Sequence, residues 1–156
     1  MDSPTGFIPV LYLESRDHSD NLLMYFHGNG EDVFSSYPLL DHLRTTLEVL
    51  LIITLSVLMF VFFPKINVMA VEYPGYGNYK FGKACSADLI LEDAEFAYNF
   101  ATKQLGFAEK NIILAGRSLG TGPAVFLASR HKPGCLVTIS AFTSIRGVVS
   151  GIAGFF

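Results

Sequence analysis

Positions 111–122 read NIILAGRSLGTG, and this stretch decides the fold. An apolar, β-branched run from Asn111 to Ala115 leads into a G-x-S-x-G pattern, Gly116 to Gly120, and a helical pattern begins at Thr121. A serine between a strand and a helix lies on a sharp turn, where its backbone is strained. The spacing therefore predicts that Ser118 projects from this turn into a cleft above the carboxyl end of a sheet.

This turn, which we call the nucleophile elbow, contains residues suited to acyl-transfer chemistry. Ser118 is the candidate nucleophile, and Gly116, Arg117 and Gly120 complete the elbow, where the glycines leave room for neighbouring chain. The backbone N–H of Leu119, at the start of a helix, can donate to an oxyanion. Because a bare G-x-S-x-G also occurs by chance, a second motif has to support this interpretation.

A second motif follows the short apolar run Leu22–Phe26, which predicts a strand. It reads His27-Gly28-Asn29-Gly30, and we call it the glycine loop. A backbone N–H of Asn29 or Gly30 can supply the second donor of an oxyanion hole, while His27 and Gly28 support the loop. Two motifs in this order predict a serine-based acyl-transfer site.

The rest of the chain alternates between strand and helix patterns. Further strands are predicted at Ile8–Glu14, Val68–Glu72 and Leu136–Ile139, and helices from Tyr37 onward, at Asp88–Leu105 and at Thr121–Arg130. Strand, helix and strand in succession make parallel βαβ units. We therefore expect one α/β domain over residues 1–156, with a mostly parallel sheet of about five strands and flanking helices.

Four segments occur in an order that is typical of a known family: residues 23–30, 70–77, 113–122 and 140–145. They resemble the α/β-hydrolase superfamily, specifically the branch of serine hydrolases that includes abhydrolase-domain protein depalmitoylases and serine-aminopeptidase-like proteins. The resemblance implies the N-terminal part of one α/β-hydrolase domain, with Ser118 as nucleophile and an acyl ester or thioester as substrate. We expect neither a cofactor nor a metal site.

The resemblance also implies an Asp and a His on loops after later strands, and the chain stops at Phe156 before those strands. Without a base, the Ser118 hydroxyl keeps its proton and is a poor nucleophile, so we expect this chain alone to be inactive. The histidines do not replace the base, because they are expected in a turn, in the glycine loop, on a helix and about 15 to 20 Å along the helix that Ser118 begins. They are His18, His27, His42 and His131.

The other candidate side chains have structural interpretations. Tyr73 and Tyr76 are expected to pack near the cleft. Two cysteines without metal-ligand spacing are expected to be free, buried thiols. The carboxylates of the long helix are expected on a solvated face, and they are Glu92, Asp93 and Glu95.

One apolar segment, residues 46–65, breaks the alternation. From Val49 to Phe63 every residue is apolar except Thr54 and Ser56. On hydropathy the segment is a candidate transmembrane helix, but a single crossing would separate strands that should share one sheet. Three interpretations stay open: a membrane span, an interfacial or self-packed apolar hairpin, and non-native sequence such as a retained intron.

The composition narrows the classes of partner. Of the 156 residues, 51% are hydrophobic, which is enough for one buried core. The net charge of -3 has both signs interspersed and gives no basic stripe, so a nucleic acid partner is not expected. Neither a secretory signal nor a myristoylation pattern stands at the start, so we expect a cytoplasmic or membrane-associated protein.

Two classes of function remain. The first is a serine hydrolase that acts on esters or thioesters through Ser118 and is incomplete in this chain. The second is non-catalytic: a membrane-associated hydrolase remnant, or a lipid-binding module that uses the same cleft. Fluorophosphonate labelling, membrane fractionation and turnover of a p-nitrophenyl ester distinguish these classes.

Overall fold

Four strands open the chain, and helices and strands then alternate, as the sequence predicts from residue 37 onward. The computed structural model of the protein describes residues 2–3, 6–53, 65–79 and 85–142. Its strands are β1 (Asp2–Ser3), β2 (Gly6–Phe7), β3 (Val10–Leu13), β4 (Leu22–Phe26), β5 (Asn67–Val71), β6 (Ile112–Arg117) and β7 (Cys135–Ile139). Its helices are α1 (Tyr37–Ile53), α2 (Ala87–Lys103) and α3 (Thr121–Arg130).

The main sheet has five strands in the order β3-β5-β4-β6-β7, and β1 and β2 form a separate short hairpin. β3 is antiparallel to β5, and the other four strands are parallel. β4 is central, since Leu22 pairs with Asn67 of β5 on one side and with Ile112 of β6 on the other. The carboxyl ends of β4, β5 and β6 therefore lie at one edge of the sheet, where ligand sites of α/β proteins form.

Both faces of the sheet are covered, so the central strands β4 and β5 are buried along their whole length. On one face, Phe26 belongs to a cluster with Tyr98 of α2 and Leu127 of α3. On the other face, Tyr25 belongs to a cluster with Leu40 of α1. Burying a large apolar side chain contributes about 1.5–3 kcal/mol, so these two clusters hold the sheet edge in place.

Helix α2 begins with a side-chain cap and buries one stripe. Ser86 Oγ accepts the N–H of Leu89 at 3.2 Å. The prediction that Asp93 faces solvent is wrong, because Asp93 lies on the buried stripe and beside Tyr79. The stripe recurs at helical spacing and consists of Ile90, Asp93, Ala94, Ala97, Tyr98 and Ala101.

Helix α1 begins at Tyr37, where the sequence predicts a helix, and continues through Ile53 into the apolar segment. Leu40 is buried, whereas Tyr37 and Leu39 are exposed. Residues 54–64 lie outside the described residues, so the three interpretations of the apolar segment remain predictions. In the ranges that the structure describes, no helix is both long enough and apolar enough to cross a bilayer.

The last strand of the sheet, β7, exposes all five of its side chains. The prediction of buried thiols is wrong for both cysteines, which are free and exposed. Cys135 begins this exposed strand, and Cys85 lies in the segment before α2. Isolated cysteines are usually buried, which is why burial was predicted, but their place at the sheet edge and in a connecting segment decides their exposure.

Candidate active site

The backbone turns sharply at Ser118. β6 ends at Arg117, a 3-10 turn spans Ser118–Gly120, and α3 begins at Thr121. Ser118 has φ 49°, in the left-handed region, which costs roughly 1–3 kcal/mol for a residue that carries a side chain. The Thr121 hydroxyl donates to the Ser118 carbonyl at 2.7 Å and stabilises the turn. The structure thus contains the strand, strained turn and helix that the sequence predicts.

Two glycines allow the elbow to turn tightly and to pack closely against segments that precede it in the sequence. A Cβ atom on Gly116 would overlap the Gly120 carbonyl oxygen. A Cβ atom on Gly120 would overlap the Phe26 carbonyl oxygen and lie 2.7 Å from that of His27. Only glycine fits at these two positions. The missing Cβ atoms let the elbow lie directly against the end of β4 and the start of the glycine loop.

The glycine loop forms a turn beside the elbow. The Glu31 N–H donates to the Gly28 carbonyl at 3.4 Å, and Gly30 has φ 77°, a conformation that favours glycine. A Cβ atom on Gly28 would lie 3.6 Å from the Arg117 carbonyl oxygen, so the two motifs are neighbours. Asn29 and Gly30 are exposed, and their N–H groups have no hydrogen-bond acceptor in the described part of the chain.

His27 is buried beneath the loop, and both of its ring nitrogens are occupied. Nδ1 lies 2.9 Å from the Gly28 carbonyl oxygen, and Nε2 lies 2.9 Å from Glu72 Oε1. Glu72 follows β5, is equally buried, and also accepts the Val33 N–H at 3.3 Å. Breaking such a buried pair typically costs about 3–5 kcal/mol. The pair joins the ends of β4 and β5 and leaves no ring nitrogen to take the Ser118 proton.

Two tyrosines from the loop after β5 complete the support of the glycine loop. Tyr73 stacks on His27 with ring centroids 4.1 Å apart, and its hydroxyl donates to the His27 carbonyl at 2.9 Å. Tyr76 does more than pack, because its hydroxyl donates to Asn29 Oδ1 at 2.6 Å. Burial raises the pKa of Tyr76, and that of Tyr73 well above its ordinary value, so both phenols remain neutral donors.

A charged pair bridges the elbow and the glycine loop. Glu31 Oε1 accepts from the Arg117 guanidinium, and Glu31 Oε2 accepts the Gly28 N–H at 3.0 Å. The side chains of Glu31 and Arg117 are 26% and 48% exposed. The pair therefore lies at the rim of the site, with one partner on each motif.

All four histidines of the chain are described, and none contacts Ser118. His18 and His42 are exposed. His131 follows α3 at the end remote from Ser118, as predicted, and lies 2.8 Å from Glu95. Within the described ranges the Ser118 hydroxyl has no hydrogen-bond partner, and no group of three or more His, Cys, Asp or Glu side chains is arranged to hold a metal ion.

Glu72 and Glu31 contact the glycine loop but belong to neither motif. The sequence nevertheless carries a signal that each of them has a structural partner. Glu72 directly follows the apolar strand β5, and a charged residue at the end of a buried strand requires a partner. Glu31 stands three residues after Gly28, a spacing at which a side chain can accept a loop N–H. Neither signal alone identifies the partner, which comes from a distant part of the chain.

The chain is similar to proteins named as alpha/beta hydrolases, although no family model matches it. A protein of Acanthamoeba polyphaga mimivirus with that name is 26% identical over 149 residues, which cover 91% of this chain and 48% of the relative. Alpha/beta hydrolase domain-containing protein 17C of Xenopus laevis is 27% identical over 139 residues, which cover 89% and 39%. The chain therefore spans less than half the length of these two relatives.

A solved structure gives the same result for the fold. A cold-adapted esterase from an Arctic intertidal metagenomic library matches with a TM-score of 0.59 at 17% identity, over 84% of this chain and 54% of the esterase. A likeness at this level concerns the fold, since one fold supports many reactions. The parallel sheet, the strained turn at Ser118 and the named relatives agree with one another. The chain therefore has the fold of the α/β hydrolases and is similar in sequence to proteins that carry this name.

Proposed function

We propose that the protein is a serine hydrolase that acts on acyl esters or thioesters through Ser118. The observation that carries this proposal is the close packing of the elbow on the glycine loop, where Gly120 lies against the His27 carbonyl. This packing supports an arrangement in which the serine hydroxyl faces backbone N–H groups from two separate segments. Acyl transfer needs such an arrangement, because the carbonyl oxygen becomes negatively charged in the transition state.

The proposed reaction uses the backbone as well as the serine. Ser118 Oγ attacks the acyl carbonyl carbon, and its proton passes to a base. The resulting oxyanion accepts the N–H of Leu119 and that of Asn29 or Gly30, and each such donor contributes about 10²–10³ in rate. The alkoxide or thiolate leaves with the proton, and water then attacks the acyl-serine and releases the acid.

We propose further that residues 1–156 form the N-terminal part of one α/β-hydrolase domain, and that the base comes from outside this segment. Two observations support this. The chain spans less than half the length of its two named relatives. His27, whose carbonyl packs on the elbow, has both ring nitrogens occupied.

A non-catalytic role is the second candidate, and one observation favours it. Within the described residues the Ser118 hydroxyl has no partner that would take its proton. An unassisted serine hydroxyl is a weak nucleophile. In this case the same loop donors would bind a carbonyl-containing ligand, such as a lipid, without cleaving it.

Labelling with a tagged fluorophosphonate tests the proposal on the chain itself. Attack of Ser118 on phosphorus expels fluoride and leaves a phosphonyl-serine, and imidazole in the buffer takes the proton. Trypsin cleaves after Arg117, so the adduct falls on peptide 118–130. We expect imidazole-dependent labelling of this peptide, reduced at least about 100-fold in Ser118→Ala.

Ser129→Ala is the matched control, because Ser129 lies in the same tryptic peptide and its hydroxyl donates to the Phe126 carbonyl at 2.7 Å. This variant should be labelled at the wild-type rate. Equal labelling of wild type and Ser118→Ala would contradict the proposal. A wild-type chain that stays unlabelled at every imidazole concentration would contradict it too and would favour the non-catalytic candidate.

A further inference from the structure

Glu31 connects the two motifs of the proposed site. Its Oε2 accepts the Gly28 N–H at 3.0 Å, inside the glycine loop. Its Oε1 accepts from the Arg117 guanidinium, which lies in the elbow directly before Ser118 and 86 positions along the chain. We propose that Glu31 is a positioning residue that fastens the glycine loop to the nucleophile elbow.

The bond to Gly28 determines which loop N–H groups remain available. Because Glu31 Oε2 already accepts the Gly28 N–H, that group does not donate to a ligand. The return bond from the Glu31 N–H to the Gly28 carbonyl closes the turn, with Gly30 at φ 77°. The N–H groups of Asn29 and Gly30 are left without an acceptor in the described part of the chain.

The bond to Arg117 determines where those free groups lie relative to the serine. The loop and elbow backbones are in contact, since a Cβ atom on Gly28 would lie 3.6 Å from the Arg117 carbonyl oxygen. Without a side-chain tie, the exposed end of the loop could shift against the elbow. A displacement of about 1 Å in a catalytic arrangement can reduce the rate by about 100-fold.

The energetics favour positioning over stabilisation as the role of this pair. Glu31 and Arg117 are 26% and 48% exposed, and exposed ion pairs contribute little to folding. A local bond of this kind nevertheless restricts the motion of the two segments that it joins. Its loss should therefore change the loop and the serine chemistry more than the stability of the whole chain.

The expected effect on Ser118 chemistry rests on the proposed function, whereas the fastening of the glycine loop by Glu31 and Arg117 does not. Two readouts are therefore needed. The first is amide hydrogen exchange of Gly28 and Glu31, whose N–H groups are hydrogen-bonded within the loop. The second is imidazole-dependent labelling of Ser118, which is read on peptide 111–130 where residue 117 is no longer basic. In Arg117→Gln we expect exchange of these amides to rise about 3-fold and labelling to fall about 10-fold. Arg117→Lys keeps the charge and should restore most of both.

A second exposed ion pair supplies the control. Lys65 and Asp17 contact each other far from the elbow, with side chains 48% and 64% exposed. Lys65→Gln removes the same charge and should leave both readouts unchanged. Unaltered exchange at Gly28 and Glu31 in Arg117→Gln would refute the fastening, and faster exchange with wild-type labelling would refute the positioning role. An unlabelled wild type would sink the proposed function, while the exchange data would still decide the fastening.

Discussion

At Gly120, the elbow and the end of β4 meet backbone to backbone. Its φ of -66° is accessible to any residue, so the requirement for glycine comes from space and not from torsion. The Phe26 and His27 carbonyls occupy the position that a side chain would take. Two positions later, Gly122 lies in α3, where an added Cβ atom would meet no atom within 4 Å apart from the neighbouring backbone of its own helix. These two glycines therefore form a natural pair for comparison.

Alanine at these two glycines should change stability in opposite directions. Gly120→Ala should lower the free energy of unfolding by about 2–3 kcal/mol, because a Cβ atom would push the elbow away from β4. Gly122→Ala should raise it by up to about 0.5–1 kcal/mol, because alanine loses less backbone entropy in a helix. Urea unfolding followed by circular dichroism measures both. Equal destabilisation by the two substitutions would contradict the packing described.

Single residues also show what a sequence motif can predict and what it cannot. The G-x-S-x-G spacing predicts the sharp turn at Ser118, because few other sequences tolerate a left-handed residue between strand and helix. The spacing predicts that backbone from elsewhere in the protein packs against the glycines, but it does not identify Phe26 and His27 as that backbone. The partners of Glu72 and Glu31 are equally hidden, because pairing across the sheet depends on strand order, which no local pattern encodes.

At the scale of elements, α2 and α3 are joined by an aromatic and charged contact. Tyr98 of α2 is buried and stacks on His131, which follows α3, with ring centroids 4.2 Å apart. Burial, together with Glu109 and Glu95, raises the pKa of Tyr98 to about 12. In the described part of the chain its hydroxyl has no hydrogen-bond partner. The phenol at this contact therefore stays neutral well into the alkaline range.

The raised pKa of Tyr98 predicts a loss of stability in alkali. Between about pH 10 and pH 12 the unfolded chain releases the phenol proton while the folded chain keeps it, so stability falls as the pH rises through this window. Below pH 10 the effect is absent. Tyr98→Phe lacks this titration, and its urea midpoint should fall less than that of wild type between pH 9 and about pH 11.5. Parallel midpoints for the two chains would show that burial does not raise this pKa.

The elements themselves were largely predictable from pattern. The run Leu22–Phe26 and the helix Thr121–Arg130 have the bounds that the sequence predicts. Asp93 shows where pattern fails, because helical spacing places it on the buried stripe but its charge suggests solvent. Tertiary contact with Tyr79 decides that question, and contacts of this kind are not written in local sequence.

For the molecule as a whole, β7 is the most exposed part of the sheet. It pairs with β6 on one side only among the described strands, and its five side chains carry no charge. Natural edge strands usually carry charges or prolines that prevent pairing with other chains. The mostly parallel sheet was predicted from the order of strands and helices, whereas the antiparallel direction of β3 was not.

A charge on β7 should reduce self-association of the chain. In Val137→Lys, a lysine on the open strand should oppose edge-to-edge pairing and increase the monomer fraction in sedimentation velocity. Val125→Lys is the matched control, because Val125 is 47% exposed on α3 and Val137 is 39% exposed on β7. The control should associate like wild type. Equal behaviour of the two variants would mean that the strand edge does not drive association.

The central place of β4 has a consequence for how the protein is made. The ribosome completes this strand early, but its two neighbours start at Asn67 and Ile112, so it must wait for both. During that interval Leu22–Phe26, which is entirely apolar and buried in the folded protein, stays exposed to solvent. Folds dominated by pairing between strands far apart in sequence form slowly, and their intermediates expose apolar surface that promotes aggregation. Newborn copies of this chain should therefore rely on chaperones that bind nascent apolar segments.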